Sequence, residues 1–134
     1  MFFKKETVES FEKVTLHESG MRGAYEYEAL PTEKGACVTY YGIRYNDGEG
    51  ERVPYESGVC TEEEFIGILN DCGVVSWDGF DGPHPHGVLD GKMFRFEATV
   101  NGGKVIEARG SQNFPRHYRD FTDALYAILH GKDE

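Results

Sequence analysis

The first sixty residues alternate between apolar and polar positions with a period of two, which is typical of half-buried β-strands. Val14 and Leu16, for example, alternate with polar neighbours. Pro54 cannot donate a hydrogen bond to a sheet, so we expect its segment to lie at an edge or to contain a bulge. The pattern predicts four strands, which cover residues 11–17, 24–30, 36–45 and 51–59.

A helical pattern follows the fourth predicted strand. Thr61 and Glu64 have the spacing of a capping box, in which each side chain bonds the backbone amide of the other residue. Gly73 is placed to end the helix. The apolar positions have helical spacing and predict one buried stripe, which consists of Phe65, Ile68, Leu69 and Cys72.

A hairpin is predicted for residues 94–110. The apolar faces of its two strands coincide only if the connection Asn101-Gly102-Gly103 is a three-residue loop, which places Ala98 opposite Ile106. Such loops usually combine a type I turn with a left-handed glycine, and Gly103 would supply that residue.

The last predicted element is a helix that begins near Pro115 and ends at Gly131. Ser111 or Asn113 would cap it, and Phe114 would pack against its first turn. Its buried stripe is predicted to contain Tyr118, Phe121, Leu125, Ile128 and Leu129. The order β-β-β-β-α-β-β-α favours an α+β fold with an antiparallel sheet of about six strands and two helices. The 134 residues fit one domain, residues 1–134.

The net charge of the chain disfavours some classes of binding partner. A formal net charge of −10, with scattered lysines and arginines, argues against nucleic acid and anionic membranes as partners. No signal peptide and no membrane-spanning segment is recognisable, so we expect a cytoplasmic protein. Pro54 disfavours pairing at its edge strand, whereas an exposed tyrosine face would allow a dimer, so we expect a monomer or a homodimer. The acidity is explained by solubility, or else by a basic partner or a cation.

Catalytic chemistry finds little support in the sequence. Cys37 and Cys72 are interpreted as small buried apolar residues. Cys60 precedes a helix, but the carboxylates beside it would disfavour a thiolate. No serine stands in a G-x-S-x-G frame, and no glycine-rich segment opens a helix. We therefore expect no catalytic residues and no cofactor, and a protein that is not an enzyme.

A long segment, residues 76–91, holds the only tryptophan and several aspartates and histidines. Long loops in compact domains are often functional. Together with the turn at residues 111–115, it forms the predicted binding surface for a protein or small ligand. The residues assigned to this surface are Trp77, Phe80, His84, His86, Ser111 and Asn113.

The alternative hypothesis is a divalent-metal site and a metal-binding protein or metal-dependent enzyme. His84 and His86 are spaced so that both imidazoles of an extended segment point the same way, and three or four such ligands would suit zinc. Asp78 is a further candidate, and the proposed ligand set is Asp81, His84, His86 and His117. A polar loop stiffened by Pro83 and Pro85 explains the same residues without a metal.

Three motifs in the C-terminal half suggest a family. They are Trp77-Asp78-Gly79-Phe80, then Leu89-Asp90-Gly91 before a Phe-rich strand, then Gly110-Ser111-Gln112-Asn113-Phe114-Pro115 before a terminal helix. In this order they resemble small bacterial domains of unknown function. The match is approximate at the last motif, where Gln112 separates Ser111 from Asn113. The resemblance implies a bacterial origin and an α+β fold, and it implies no activity.

Overall fold

The computed structural model describes residues 6–20, 23–87 and 91–130. Seven strands form one sheet in the order β4-β3-β2-β1-β6-β7-β5. Neighbouring strands are antiparallel, except that β5 runs parallel to β7. The strands are β1 (Phe11–Gly20), β2 (Gly23–Thr32), β3 (Gly35–Asn46), β4 (Glu49–Cys60), β5 (Asp81–Gly82), β6 (Met93–Val100) and β7 (Lys104–Ser111).

Two α-helices, α1 (Glu62–Asp71) and α2 (Tyr118–Leu129), and the 3₁₀ helix Val74–Trp77 complete the fold. The predicted α+β class with two helices is confirmed. The sheet has seven strands instead of about six, because β5 contains only two residues and is too short to produce a periodic pattern. Within the described residues, neither helix is long and apolar enough to cross a lipid bilayer.

The two faces of the sheet differ because the helices lie on one face only. Residues opposite each other on neighbouring strands share a face. We call the helix side the covered face, where Leu16 lies opposite Phe96 and Ala98 lies opposite Ile106. The other side is the open face, which carries His17 and Arg95 as direct neighbours. The core therefore lies between the covered face and the helices.

Trp77 is at the centre of this core. Only 1% of its surface is exposed, and its ring makes edge-on contacts with Phe96 and Phe121. The indole N–H donates to the carbonyl oxygen of Arg116 at 3.0 Å, so the one polar atom of the ring is satisfied. The aromatic residues thus join β6, the 3₁₀ helix and α2.

The prediction for α1 is confirmed. The Glu64 amide donates to Thr61 Oγ1 at 2.9 Å, and the Thr61 amide donates to Glu64 Oε1 at 3.0 Å, which completes the capping box. Phe65 and Leu69 are fully buried. Gly73 follows the helix with a φ of 66°, in the left-handed conformation that a helix-ending glycine supplies.

The β6–β7 hairpin has the predicted register, with Ala98 opposite Ile106. The predicted turn type was wrong. Asn101 and Gly102 have φ values of 52° and 79°, whereas a type I turn needs negative φ at both positions. Positive φ at both positions belongs to a type I′ turn, whose twist matches that of the strands. Asn101 adopts it while its side-chain oxygen accepts from the amide of Glu9 at 2.6 Å.

The start of α2 differs from the prediction. The helix begins at Tyr118 rather than near Pro115, and its N-cap is His117, whose side chain makes no capping hydrogen bond to the helix backbone. Ser111 and Asn113 therefore do not cap it; their side chains bond to His84 and to Pro83 instead. The predicted end at Gly131 lies outside the described residues.

The β4 strand lies at one edge of the sheet, as Pro54 predicted. The pairing shifts between Tyr40 and Tyr41, whose partners on β4 are Glu56 and Pro54. Tyr55 is thus the extra residue of a bulge. A bulge directs two consecutive side chains toward similar sides, which is how Tyr55 and Glu56 both reach the covered face.

Candidate functional site

Part of the predicted binding surface is buried. Trp77 is a core residue, so its ring is not accessible to a ligand, and the prediction that it belongs to this surface is corrected. Phe80 is half-buried against Phe94, with ring centroids 6.2 Å apart. Asp78 Oδ1 accepts from the Glu107 amide at 3.0 Å, and the Gly79 amide donates to the Glu107 carbonyl at 2.8 Å. This segment covers the β7 edge of the sheet, where unpaired backbone groups would otherwise be exposed.

Three of the other predicted residues, His84, Ser111 and Asn113, come together. His84 Nδ1 lies 2.8 Å from Ser111 Oγ, and Asn113 donates through Nδ2 to the carbonyl of Pro83 at 3.3 Å. His86 is exposed in the following turn. The segment around His84 therefore lies beside the 111–115 turn, as the sequence suggested, at the border of the open face.

Three of the proposed metal ligands, Asp81, His84 and His117, contact other residues. Arg109 lies 3.5 Å from Asp81, and Asp120 lies 2.9 Å from His117, while His84 contacts Ser111. Across the three described stretches of chain, no three His, Cys, Asp or Glu side chains are grouped so that they could hold a metal ion. Asp90 lies outside those stretches.

The surroundings of Cys60 and Cys72 disfavour ionisation of their thiols. Burial, and then the carboxylate of Glu64, raises the pKa of the Cys60 thiol. Burial, followed by Asp120 and Asp71, raises the pKa of Cys72 to about 11. Because the thiolate is the nucleophile, these raised pKa values disfavour reaction of either thiol at neutral pH. Cys37 is half-buried on the open face rather than in the core as predicted, since it pairs with exposed Val59.

The most distinctive surface is on the covered face, beside α2. Tyr27 lies opposite Tyr40, and their ring centroids are 4.9 Å apart. Tyr25 stacks on Tyr40 at 5.8 Å with an interplanar angle of 13°. Tyr55 meets the edge of Tyr40 at 6.0 Å. Four tyrosine rings from three strands thus form one continuous aromatic surface.

The β4 bulge and a glycine bring the fourth ring into this group. Tyr55 lies over Gly42, where a Cβ atom would be only 2.5 Å from the ring. Glu56, opposite Tyr40, faces His130 of the last helix, with Oε1 and Nε2 3.6 Å apart. The bulge therefore delivers an aromatic ring and a carboxylate to the same surface.

The helix α2 forms the other wall. Tyr126 is 60% exposed and lies against His130, with ring centroids 4.0 Å apart. A cavity of about 770 Å³ runs between Tyr27, Glu18 and this helix. We call this cavity and the adjoining tyrosines the tyrosine groove, defined by Glu18, Tyr25, Tyr27, Tyr40, Tyr55, Glu56, Asp120, Asp123 and Tyr126.

The groove is acidic. Among the described residues it contains four carboxylates, those of Glu18, Glu56, Asp120 and Asp123, and two permanent cations, Lys92 and Arg119. Four against two leaves an excess of two carboxylates. Both cations are carried by long side chains at the surface, where Lys92 is 54% and Arg119 89% exposed.

Glu18 lines the groove and is held in place by contacts with Tyr118 and Lys92. Its Oε2 accepts a short hydrogen bond from the Tyr118 hydroxyl, and its Oε1 lies 3.6 Å from Lys92 Nζ. Burial, followed by Glu18, raises the pKa of Tyr118 well above its usual range. The phenol therefore stays protonated and donates its O–H to the carboxylate oxygen of Glu18.

Two tyrosines of the groove, Tyr27 and Tyr40, are also held neutral by their surroundings. Burial raises the pKa of Tyr27 to about 12, with Glu18 and Glu56 adding to the effect. Burial, together with the neighbouring tyrosines and Glu18, raises the pKa of Tyr40 to about 12. Neutral rings beside carboxylates present negative potential at the ring faces and at the oxygens. The groove is therefore suited to a cation.

The sequence carries a partial signal for this site. Tyr25 and Tyr27 alternate with Glu26 and Glu28, so a tyrosine face of β2 is visible from the pattern. The meeting of that face with Tyr40 and Tyr55 depends on strand order and on the bulge, which the pattern leaves open.

The sequence matches no protein-family model and no curated protein. The function is therefore inferred from the geometry and chemistry of the groove.

Proposed function

We propose that the protein is a non-enzymatic binding domain of the cytoplasm, and that its tyrosine groove holds a basic segment of a partner protein. The observation that carries the proposal is the contact of four tyrosine rings beside Glu18 and Glu56. An arginine or lysine side chain over such rings gains cation–π attraction and a carboxylate partner at the same time.

The composition of the groove supports a protein partner. Tyrosine is enriched at protein interfaces because its ring buries a large area while its hydroxyl stays hydrated. Tyr55 and Tyr126 are each 60% exposed, so both offer ring surface that a partner could cover. A net charge of −10 favours approach of a basic chain over long range.

The chain already contains one example of the proposed contact. On the open face, Arg52 Cζ lies 4.1 Å from the centroid of the Tyr41 ring, and Arg52 Nη1 lies 3.1 Å from Glu26 Oε2. A guanidinium there combines a tyrosine face with a carboxylate. The tyrosine groove offers the same pair of partners, and within the described part of the chain no guanidinium lies over one of its rings.

The experiment is a calorimetric titration with two matched peptides. One is a hexapeptide of alternating arginine and glycine, and the other has glutamate in place of arginine. We expect the arginine peptide to bind with an affinity that falls as salt is added, and the glutamate peptide not to bind. Glu56→Gln should weaken binding of the arginine peptide, because it removes one carboxylate of the groove. Equal binding of both peptides, or of neither, would contradict the proposal.

A further inference from the structure

The open face carries an arrangement of charge that the tyrosine groove does not explain. Arg95 on β6 lies directly opposite Arg109 on β7. Residues opposite each other in an antiparallel pair have Cβ atoms about 4.5–5.5 Å apart, and like charges at such positions destabilise the pair. The same two strands also place Glu97 opposite Glu107, so the charges are sorted into a basic row and an acidic row.

Nearby carboxylates neutralise the two arginines only in part, through a single ion pair to Arg109. Arg95 forms no ion pair with any residue in the described part of the chain. Arg109 has one ion-pair contact there, with Asp81 at 3.5 Å. The side chains of Arg109 and Asp81 are both more than half exposed. Neither arginine pairs with Glu97 or Glu107, although these are the next residues on the same face. Both guanidinium groups are thus available to a ligand.

The side chains around the arginine pair converge on a cavity. It has a volume of about 450 Å³, and its lining includes both arginines, His17 and Ser111. His17 lies on the strand next to Arg95, as its direct cross-strand partner. Ser111 extends the wall at the other end and is fixed by its contact with His84 at 2.8 Å. A hydroxyl, an imidazole, two guanidinium groups and the carboxylate of Asp81 therefore line one space. The imidazole of His17 also contacts Glu26 at 3.3 Å.

We propose that this cavity, which we call the arginine-pair site, binds the phosphate group of a small ligand. Each guanidinium can offer two parallel N–H donors to a tetrahedral oxyanion. A phosphate monoester carries a charge of about −1.5 to −2 at pH 7, enough to balance two adjacent arginines. Ser111 places a hydroxyl group at the rim, where it also contacts His84 Nδ1. The site lies on the opposite face from the tyrosine groove. The result of testing one proposal therefore does not decide the other.

Asp81 gives the proposal a distinctive consequence. Its carboxylate is the intramolecular competitor for Arg109, at 3.5 Å and 65% exposed. Replacing it with asparagine removes the competing charge and keeps the side-chain size. Asp81→Asn should therefore strengthen phosphate binding by up to about fivefold, the range expected for an exposed ion pair. A merely solvated basic patch far from Asp81 would show no such gain.

The test uses inorganic phosphate as the probe, with NMR of the arginine side-chain Nε–Hε groups at constant ionic strength set by chloride. We expect the Arg95 and Arg109 signals to shift saturably, and Arg95→Gln to weaken binding by about tenfold. Arg44→Gln is the matched control, because Arg44 is also an exposed arginine of the sheet but lies on β3; it should bind phosphate as the unmodified protein does.

Three outcomes would overturn the proposal. The first is no saturable shift in phosphate. The second is an equal loss of binding in Arg95→Gln and Arg44→Gln, which would mean that overall charge alone is responsible. The third is binding of succinate as tight as that of phosphate, which would show that the site selects a carboxylate rather than a phosphate.

Discussion

The ring of Tyr55 lies over Gly42 on the neighbouring strand, where a Cβ atom would come within 2.5 Å of the ring. Gly42→Ala should therefore push Tyr55 out of the tyrosine groove. The ring is at the exposed end of a flexible side chain and can move at little cost, while alanine in a strand is favoured over glycine by about 0.5–1 kcal/mol. We expect weaker binding of the arginine peptide at unchanged or higher stability, measured by calorimetry and urea unfolding.

This variant separates binding from folding. A loss of affinity with intact stability places Tyr55 in the binding surface. Unchanged affinity, with Tyr55 shown by NMR to have moved, would remove Tyr55 from that surface.

The raised pKa of Tyr27 predicts that the free energy of unfolding falls at high pH. Folding raises the pKa of Tyr27 from 10.0 to about 12, so the neutral form is favoured in the folded state. The resulting stabilisation is present below pH 10.0 and is lost as the pH rises toward about 12. Urea unfolding across this pH range should show a falling free energy, and Tyr27→Phe should make the fall shallower. A Tyr27→Phe profile as steep as that of the unmodified protein would contradict the assignment.

Alanine substitutions at two glycines, Gly58 and Gly67, are predicted to change stability in opposite directions. A Cβ atom on Gly58 would lie 2.2 Å from the carbonyl oxygen of Ile128, so β4 and α2 can pack closely only with glycine there. Gly58→Ala should destabilise the protein by about 1–3 kcal/mol. Gly67 is inside α1, and a Cβ atom added to it would meet nothing within 4 Å, so Gly67→Ala should stabilise by about 0.8–1 kcal/mol.

Urea unfolding followed by the fluorescence of Trp77 measures both changes, because the only tryptophan is in the core. The docking of α2 against β4 would be wrong if Gly58→Ala were as stable as the unmodified protein.

Local signals in the sequence were sufficient for much of the fold. The capping box of Thr61 and Glu64 depends on neighbours three residues apart, and it is present. The hairpin register followed from the requirement that Ala98 and Ile106 share a face. The start of α2 was predicted incorrectly because Pro115 suits a first helical turn, whereas the chain makes one further turn and begins the helix at Tyr118.

The candidate site was less predictable because it is made by contacts between distant segments. Tyr25 and Tyr55 are thirty residues apart and meet only through Tyr40, after the strands have paired and β4 has bulged. The segment around Trp77 is rich in aspartate and histidine, which favours a binding site, yet Trp77 itself is buried in the core. Composition alone does not distinguish a buried aromatic ring from an exposed one.

Divalent metals provide a test of the metal hypothesis. His84 contacts Ser111, and His117 contacts Asp120, so these imidazoles are engaged with separate partners. We expect zinc, manganese and nickel to leave the melting temperature unchanged. A rise in melting temperature that disappears in the double variant His84→Ala, His86→Ala would instead establish a metal site at this loop.

The most direct test of the tyrosine groove compares two tyrosines of the β3–β4 hairpin. Tyr55 is 60% exposed on the covered face, whereas Tyr45 is 62% exposed and lies on the open face by the alternation of β3. The measurement is calorimetric affinity for the arginine peptide in Tyr55→Ala and Tyr45→Ala. We predict that Tyr55→Ala loses about 0.5–2 kcal/mol of binding free energy and that Tyr45→Ala loses none. Equal affinities in the two variants would contradict the account.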